Sequence, residues 1–327
     1  MVDRPSIVTL TGGLLESSPP LDVLRPLADI VVADSPEALA RLLPSADILF
    51  TWDYRFVAQL DSLLPAAPRL RWIHAAHAGV ESVISPGLRS SDIVLTNSRG
   101  VFDTTMAEYV TGLLLAFAKD LYGTVRLQES RQWRPRLTKK LQGQRAAVVG
   151  TGAIGRRIAA MLKSLDVEIT LVGRRGGDDP DFGTIVPSDQ LADAAGQVDA
   201  LILVAPLTPL TRGMVDRTVL AALGPSGYLI NVGRGPLVVE ADLVEALTSG
   251  QIAGAALDVV DTEPLPADSP LWRIPNLVIS PHMSGDYEGF APDLVDMFAV
   301  NLRRWLAGEP LKNVVDISLG YVASTSV

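Results

Sequence analysis

"RAAVVGTGAIGRRIAAMLKSL", Arg145 to Leu165, is the stretch from which the fold can be read. Its first six residues are a short, mostly apolar run and predict a strand ending at Gly150. From Ala153 onward, Ile154, Ile158, Met161, Leu162 and Leu165 fall on one face of a helix. Between the two lies G-x-G-x-x-G, with Gly150, Gly152 and Gly155. A bare match is weak, because glycine-rich loops are common; its place between strand and helix gives it weight. Gly150 would make the tight turn, and Gly152 would let the backbone approach a pyrophosphate. Gly155 would allow close helix–strand packing, and the helix N-terminus at Ala153 and Ile154 would face the anion. The stretch predicts a dinucleotide site.

The next strand, "EITLV" (168–172), runs into "LVGRRGG", Leu171 to Gly177. An acid that hydrogen-bonds the adenosine ribose is expected about 20 residues beyond the glycines, at the end of this strand. That place falls at or near Gly173. A carboxylate there would repel a 2′-phosphate, and glycine removes the obstacle. Arg174 and Arg175 then offer charge-assisted donors to the phosphate. The alternative is a pair of solvated arginines on a surface loop. The first reading makes the cofactor NADP, with NAD as a second possibility.

Further strands follow at "ALILVA" (200–205), "YLINV" (228–232), "AGAALDVV" (253–260) and "LVIS" (277–280). Near-continuous apolar runs of this kind suit strands buried on both faces. The first hundred residues alternate β-rich runs with helical patterns: "SIVTL" (6–10), "ADILFT" (46–51), "LRWIHA" (70–75) and "DIVLTNS" (92–98). "TTMAEYVTGLLLAFAKDLYGTVRLQ", Thr104 to Gln128, contains no proline and predicts one long helix, partly buried between two bodies. "PDLVDMFAVNLRRWLAG" (292–308) predicts a last helix stopped by Gly308, with Pro310 just beyond. The fold class is α/β, with two doubly wound parallel sheets.

Composition sets the outer bounds. The 327 residues suffice for two domains, and 48% hydrophobic with 20% charged describes a globular protein with a large core. A formal charge of −9 argues against general binding to nucleic acid or to an anionic membrane. Cysteine is absent, which excludes disulfides, thiolate catalysis and Cys-based metal sites; no metal is expected. The start, "MVDRPSIVTL", lacks the pattern of a secretory signal, and runs such as "GLLLAFA" (112–118) are too short to span a bilayer. A cytoplasmic location is the expectation.

Three side chains after predicted strands suit one chemistry. Reducing a 2-oxo acid requires a cation for the carboxylate, a proton donor for the carbonyl oxygen and a hydride in line. Arg234 follows "YLINV" in a glycine-flanked turn, at the carboxyl end of a strand, where open α/β sheets bind ligands. His282 follows "LVIS" and a proline, at another such end, and is one of only three histidines. Glu263 sits in the proline-bounded loop "DTEPLP". A carboxylate against an imidazole favours the protonated ring, so His282 would donate a proton near neutral pH.

"VVGTGAIG", "LINVGRGPLVVEADLVEAL" (229–247), "AGAALDVVDTEPLP" (253–266) and "VISPHMSG" (278–285) occur in that order. Together they resemble the D-isomer-specific 2-hydroxyacid dehydrogenases, of the glyoxylate/hydroxypyruvate reductase type. "AHAGVES" (76–82) and "NSRGVFDTTMAEYV" (97–110) fit the same family, and the similarity runs from about residue 45 to about 315. The resemblance implies a Rossmann cofactor domain (99–289) inserted in a flavodoxin-like substrate domain (1–98 and 290–327), and a homodimer. It implies that Arg234, Glu263 and His282 act together, and that Ala78 and Gly79 offer backbone N–H groups to the substrate carboxylate. Cofactor contacts are implied for Ala205, Pro206, Val232, Gly233, Asp258, Ser284 and Gly285 beside the glycine loop and the arginine turn. Asp258 would hold the nicotinamide carboxamide, or else simply cap a loop. His77 stands where the family more often has a small residue, and either touches substrate or fills space. His74 is expected to pack in the sheet. Trp52 and Tyr54 either wall the pocket or pack as ordinary aromatics.

The resulting expectation is an NADPH-dependent reductase of small 2-oxo acids, with glyoxylate and hydroxypyruvate as leading substrates. Phosphite or formate oxidation on the same scaffold is a rival. Formate enzymes of this family usually carry Gln beside the histidine, and Glu263 argues against that. Phosphoglycerate dehydrogenase with a regulatory tail is disfavoured, because little chain follows the last helix. A dinucleotide-sensing corepressor is the rival from another class, and turnover of NADPH with a 2-oxo acid separates it.

Overall fold

The computed structural model describes residues 4–12, 19–53, 57 and 59–322. Tyr54 lies outside them. The chain forms two compact units, one from Met1–Phe102 with Tyr287–Val327 and the other from Asp103–Asp286.

In the first unit, β1 (Ser6–Leu10), β2 (Asp29–Ala33), α1 (Pro36–Leu42), β3 (Ile48–Thr51), α2 (Leu60–Leu63), β4 (Trp72–Ala75), α3 (Pro86–Arg89) and β5 (Val94–Asn97) follow one another. Their strands build a parallel sheet in the order β2-β1-β3-β4-β5, the flavodoxin-like arrangement. Alternate residues serve opposite faces. Val8, Leu49, Ile73 and Leu95 join Leu39, Leu60 and Leu88 in one core. Ile7, Ile48, Phe50 and Trp72 meet Leu294, Val295, Phe298 and Leu302 of the C-terminal helix, Phe290–Ala307, in the other. Phe298 stacks on Phe50 with ring centroids 4.4 Å apart. The helix stops at Gly308, whose φ of 67° is left-handed, as the Gly–Pro signal predicted.

The second unit contains α4 (Asp103–Ala118), α5 (Leu121–Glu129), β6 (Arg145–Val149), α6 (Ala153–Lys163), β7 (Glu168–Gly173), β8 (Gly177–Asp179), β9 (Gly183–Pro187), α7 (Leu191–Ala195), β10 (Ala200–Leu203), α8 (Arg217–Leu223), β11 (Tyr228–Asn231), α9 (Glu240–Thr248), β12 (Gly254–Leu257) and β13 (Leu277–Ile279). The sheet runs β13-β12-β11-β10-β6-β7-β9-β8, parallel throughout except for β8 against β9. The chain moves outward from β6 through β7 to one edge, and through β10 to the other. The β6/β10 boundary is therefore the topological switch point, where dinucleotides bind in such sheets. Here too the strands divide their residues. Ala147, Val149, Leu201, Leu203 and Leu229 pack under α7, α8 and α9, whereas Ala146, Val148, Leu171 and Ile202 pack under α4 and α6. Both sheets are thus doubly wound.

The structure departs from the sequence reading in several places. The single helix expected over Thr104–Gln128 is two, because Asp120 takes a left-handed φ of 46° and caps α5 by accepting from the Gly123 N–H at 3.1 Å. Leu165 lies beyond the end of α6 and is exposed; the buried stripe of that helix is Ile158, Ala159 and Leu162. Strands β2, β8 and β9 were not anticipated. Among the described residues no helix is long and apolar enough to cross a membrane.

Candidate active site

Six adjacent parallel strands deliver the candidate residues of the second unit to one edge of its sheet. Gly150 follows β6, Gly173 and Arg174 close β7, and Ala205 and Pro206 follow β10. Val232 to Arg234 follow β11, Asp258 follows β12, and His282 follows β13. Parallel pairing forces this outcome, since every strand points its carboxyl end the same way.

The glycine loop has the shape a dinucleotide needs. Gly150 has a φ of 124°, and a side chain there would stand 3.0 Å from the Ala205 nitrogen and the Val204 carbonyl. A Cβ at Gly155 would fall on the Gly150 carbonyl oxygen, so α6 approaches β6 as closely as backbone allows. At Gly152 a Cβ would meet nothing within 4 Å. Turn, close packing and an open approach to the helix N-terminus are all present, and these residues fit a bound pyrophosphate. The segment after β10 is braced by Thr211, whose hydroxyl donates to the Pro206 carbonyl at 2.7 Å. Thr211 was not read from the sequence.

Arg174 and Arg175 are exposed just past β7, and no carboxylate replaces the ribose-binding acid at Gly173. Gly173 itself is buried. A Cβ there would press on Ile185 Cγ2 at 3.0 Å and Thr151 Cγ2 at 3.2 Å, so an aspartate could enter only if those neighbours gave way. The arginines, rather than the glycine, are the positions to alter.

Arg234 sits in a turn set by Asn231. The Asn231 amide donates to the Arg234 carbonyl at 2.9 Å and accepts from the Gly233 N–H at 3.1 Å, while its side chain is fully buried. A polar residue inside the apolar run "YLINV" was the available signal, and it went unread.

His282 Nδ1 and Glu263 Oε2 lie 2.8 Å apart. Burial alone would raise the Glu263 carboxyl, but the hydrogen bond and charge of His282, the Val260 N–H and the charge of Arg234 together hold it below its ordinary value. Glu263 is therefore a carboxylate at neutral pH and accepts; Nδ1 carries the hydrogen of that bond, and Nε2 is left for chemistry. Glu263 Oε1 also accepts from the Val260 N–H at 3.2 Å, which fixes the carboxylate plane.

The histidine backbone is held in the left-handed region, φ 56°, a conformation that costs a non-glycine residue on the order of 1–2 kcal/mol. Asp258 supplies the restraint. Its carbonyl accepts from the His282 N–H at 2.8 Å. Its buried carboxylate accepts from Ser280 Oγ at 2.6 Å, the Met283 N–H at 2.9 Å and the Ser284 N–H at 2.9 Å. These bonds cap the loop that carries His282. Burial, and then the charge of Asp258, raise the phenol of Tyr109, from α4, with the neighbouring Ser280 opposing. Asp286, half-buried on the same loop, has its carboxyl raised by burial first and by Asp258, with His282 opposing. Neither residue carries a sequence signal.

In the first unit, the loop after β4 carries His77, Ala78 and Gly79. The Asn97 amide donates to the Ala78 carbonyl at 2.6 Å, and the His77 ring contacts the Gly79 carbonyl, so the peptide planes of the loop are fixed. His74 is fully buried beside Thr96, with Nδ1 2.7 Å from its hydroxyl, and burial, with His77, lowers it to about 3. It packs in the sheet, as expected. Trp52 is buried too, stacked on Phe290 and edge-on to Phe50.

Comparison with known proteins settles the family. Residues 111–284 match the model described as D-isomer specific 2-hydroxyacid dehydrogenase, NAD binding domain. The chain belongs to the D-isomer specific 2-hydroxyacid dehydrogenase family. Within that family it is 32% identical to glyoxylate/hydroxypyruvate reductase A of Serratia proteamaculans, over 77% of this chain and 82% of that one. It is 31% identical to the glyoxylate reductase of Thermofilum pendens, over 89% of each. Among solved structures, the NADPH-dependent glyoxylate/hydroxypyruvate reductase of Sinorhizobium meliloti, in complex with NADP and sulfate, superposes with a TM-score of 0.85. That match has 26% identity and covers 97% of this chain and 100% of the other. A family protein from Aeromonas salmonicida gives 0.81 at 32% identity, over 96% and 99%. This dehydrogenase thus carries the NAD-binding domain of its family in the unit that holds the glycine loop, Arg234, Glu263 and His282.

Proposed function

We propose that the protein reduces small 2-oxo acids, glyoxylate and hydroxypyruvate foremost, to D-2-hydroxy acids with NADPH. The observation that carries this reading is the Glu263–His282 pair at 2.8 Å, in the field of Arg234, on the sheet edge that also bears the glycine loop. The glycine loop and the arginine turn would hold the cofactor, which supplies the hydride when bound. His282 donates from Nε2 to the carbonyl oxygen as charge develops there, and Glu263 stabilises the protonated ring through Nδ1. Arg234 binds the substrate carboxylate and polarises the carbonyl. Asp258 and Ser280 keep the imidazole in place. Support for the substrate class comes from the glyoxylate and hydroxypyruvate reductases to which the chain is similar. Oxidation of NADPH and of NADH over a panel of 2-oxo acids tests it. Turnover of ketones and aldehydes that lack the carboxylate, in preference to the acids, would overturn it.

Two consequences follow for the site. Arg234→Lys keeps the charge but loses the planar fork, and should lower kcat/KM for 2-oxo acids by about tenfold or more. Wild-type efficiency in that variant would remove the arginine from its place as anchor. For Glu263, lowered below its ordinary value, the sign is set by the carboxylate being present above that value and lost as pH falls through it. Across neutral pH the charge is therefore available to the ring. Glu263→Gln withdraws it, so reduction should fail earlier as pH rises. A pH–rate profile that coincides with wild type would break the proposed pairing.

We also propose a homodimer formed through the second unit. Past α5, the fully exposed Trp133 (97%) and Leu137 (101%) lie on a stretch without helix or strand, close to the exposed Leu121 and Val125 in sequence. Large apolar side chains in such number suit an interface. Light scattering should give a mass near twice 34.9 kDa, falling to that of one chain in Trp133→Ser with Leu137→Ser. A wild type that scatters as a single chain would refute the dimer.

A further inference from the structure

Beside the glycine loop, one guanidinium joins two parts of the second unit that the cofactor reading treats separately. Arg156 stands in the first turn of α6. Its Nε donates to the Thr151 carbonyl, inside the glycine loop, at 3.2 Å. Its Nη2 forms an ion pair with Asp179, the last residue of β8. The Asp179 side chain is fully buried, whereas that of Arg156 is 41% exposed. Burial would raise the Asp179 carboxyl, but the Asp181 N–H, Arg156 and the Phe182 N–H outweigh it and hold it below the ordinary value.

The β8–β9 hairpin needs such a fastening. It is the edge of the sheet, and four of its eight strand residues, Gly177, Asp178, Gly183 and Thr184, are exposed. Its apolar anchorage is confined to the partly buried Phe182, Ile185 and Val186. Polar contacts also tie it to α6: Arg156 on Asp179, and Lys163 Nζ on the Asp181 carbonyl at 2.7 Å, with the same ammonium 5.4 Å from the Phe182 ring centroid. The turn that carries Arg174 and Arg175 connects β7 to this hairpin, and it starts at Gly173, in contact range of Thr151. A planar fork suits the task, because one head reaches a carbonyl and a carboxylate at once.

We infer that the Arg156–Asp179 ion pair is a specificity-determining clamp: it fixes the hairpin against the glycine loop and so positions the Arg174–Arg175 turn for the 2′-phosphate of NADPH. The inference rests on the NADPH reading given above. Arg156 and Asp179 are positioning residues, not phosphate ligands, and their loss should act on the 2′-phosphate far more than on the shared part of the dinucleotide.

The sign of one variant separates this from plain electrostatics. Asp179→Asn removes a negative charge and releases a guanidinium close to the cofactor. By charge alone it would tighten NADPH; by the clamp it loosens the turn and weakens NADPH. The experiment titrates NADPH and NADH by fluorescence against wild type, Arg156→Ala and Asp179→Asn at one ionic strength. NADH binding reports that each variant is folded, and Arg156→Gln serves if the alanine variant is not. The expected result is a fall in the NADPH-over-NADH affinity ratio of about three- to tenfold in both variants, with NADH changed by less than about threefold. An unchanged ratio, or equal losses for both cofactors, would overturn the inference and leave the pair a purely structural contact. A lower ratio in Arg156→Ala with an equal or higher one in Asp179→Asn would also overturn it, because Arg156 would then be a phosphate ligand itself. A wild type without preference for NADPH would instead refute the underlying reading.

Discussion

His282→Ala should lower the rate of 2-oxo acid reduction by about a hundred- to ten-thousand-fold, the range that a positioned general acid contributes. NADPH affinity should remain close to wild type. The expectation follows from where the ring sits. Its Nδ1 is committed to Glu263, and its backbone is locked by Asp258 through the N–H of His282 and those of the two following residues. Removing the ring deletes the proton donor and leaves the brace intact, so the loss should appear in kcat far more than in cofactor binding. Stopped-flow reduction at saturating NADPH, with a parallel cofactor titration, checks both halves. A variant that retains more than about a tenth of the wild-type rate would show that the proton comes from elsewhere.

Removing both side chains of the arginine turn, Arg174→Ala with Arg175→Ala, should weaken NADPH by about ten- to a thousand-fold. A charge-assisted hydrogen bond is worth roughly 1.5–3 kcal/mol, about tenfold in affinity for each 1.4 kcal/mol. Both residues are exposed, which favours the lower half of that range and makes the preference weaken with added salt. NADH lacks the 2′-phosphate and should change far less. Fluorescence titration of both cofactors decides the matter; equal losses would make the arginines surface charge only. The structure also explains why aspartate at Gly173 is the poorer test. It would crowd Ile185 and Thr151, and a strained strand end would confuse the reading.

What the sequence showed and what it hid have physical reasons. Among the described residues, ten of thirteen strands were legible, most of them because strands buried on both faces are near-continuous runs of Val, Ile, Leu and Ala. The β8–β9 hairpin lies at a sheet edge and is half exposed, so "GDD" and "GTIVP" carry no comparable pattern; "DIVVA" of the edge strand β2 is an apolar run that went unread. The break between α4 and α5 has neither proline nor glycine at its pivot, only Asp120 in a left-handed conformation. The glycine loop, Arg234, Glu263 and His282 stood out because each follows a strand that the pattern located. Asn231, Tyr109, Ser280 and the Arg156–Asp179 pair did not. Asn231 bonds within its own turn, whereas Ser280, Tyr109 and the Arg156–Asp179 pair meet partners distant in sequence, which only the folded sheet brings together.

The central claim is that this site moves a hydride from NADPH to the carbonyl carbon of a 2-oxo acid. The most direct measurement supplies NADPH deuterated at nicotinamide C4, on the face that is transferred, together with hydroxypyruvate. The product is then isolated and its C2 label and configuration are determined by mass spectrometry and chiral chromatography. The account predicts D-glycerate with a single deuterium on C2. Unlabelled glycerate, the L-enantiomer, or tight binding of NADPH with no turnover of any 2-oxo acid would contradict it.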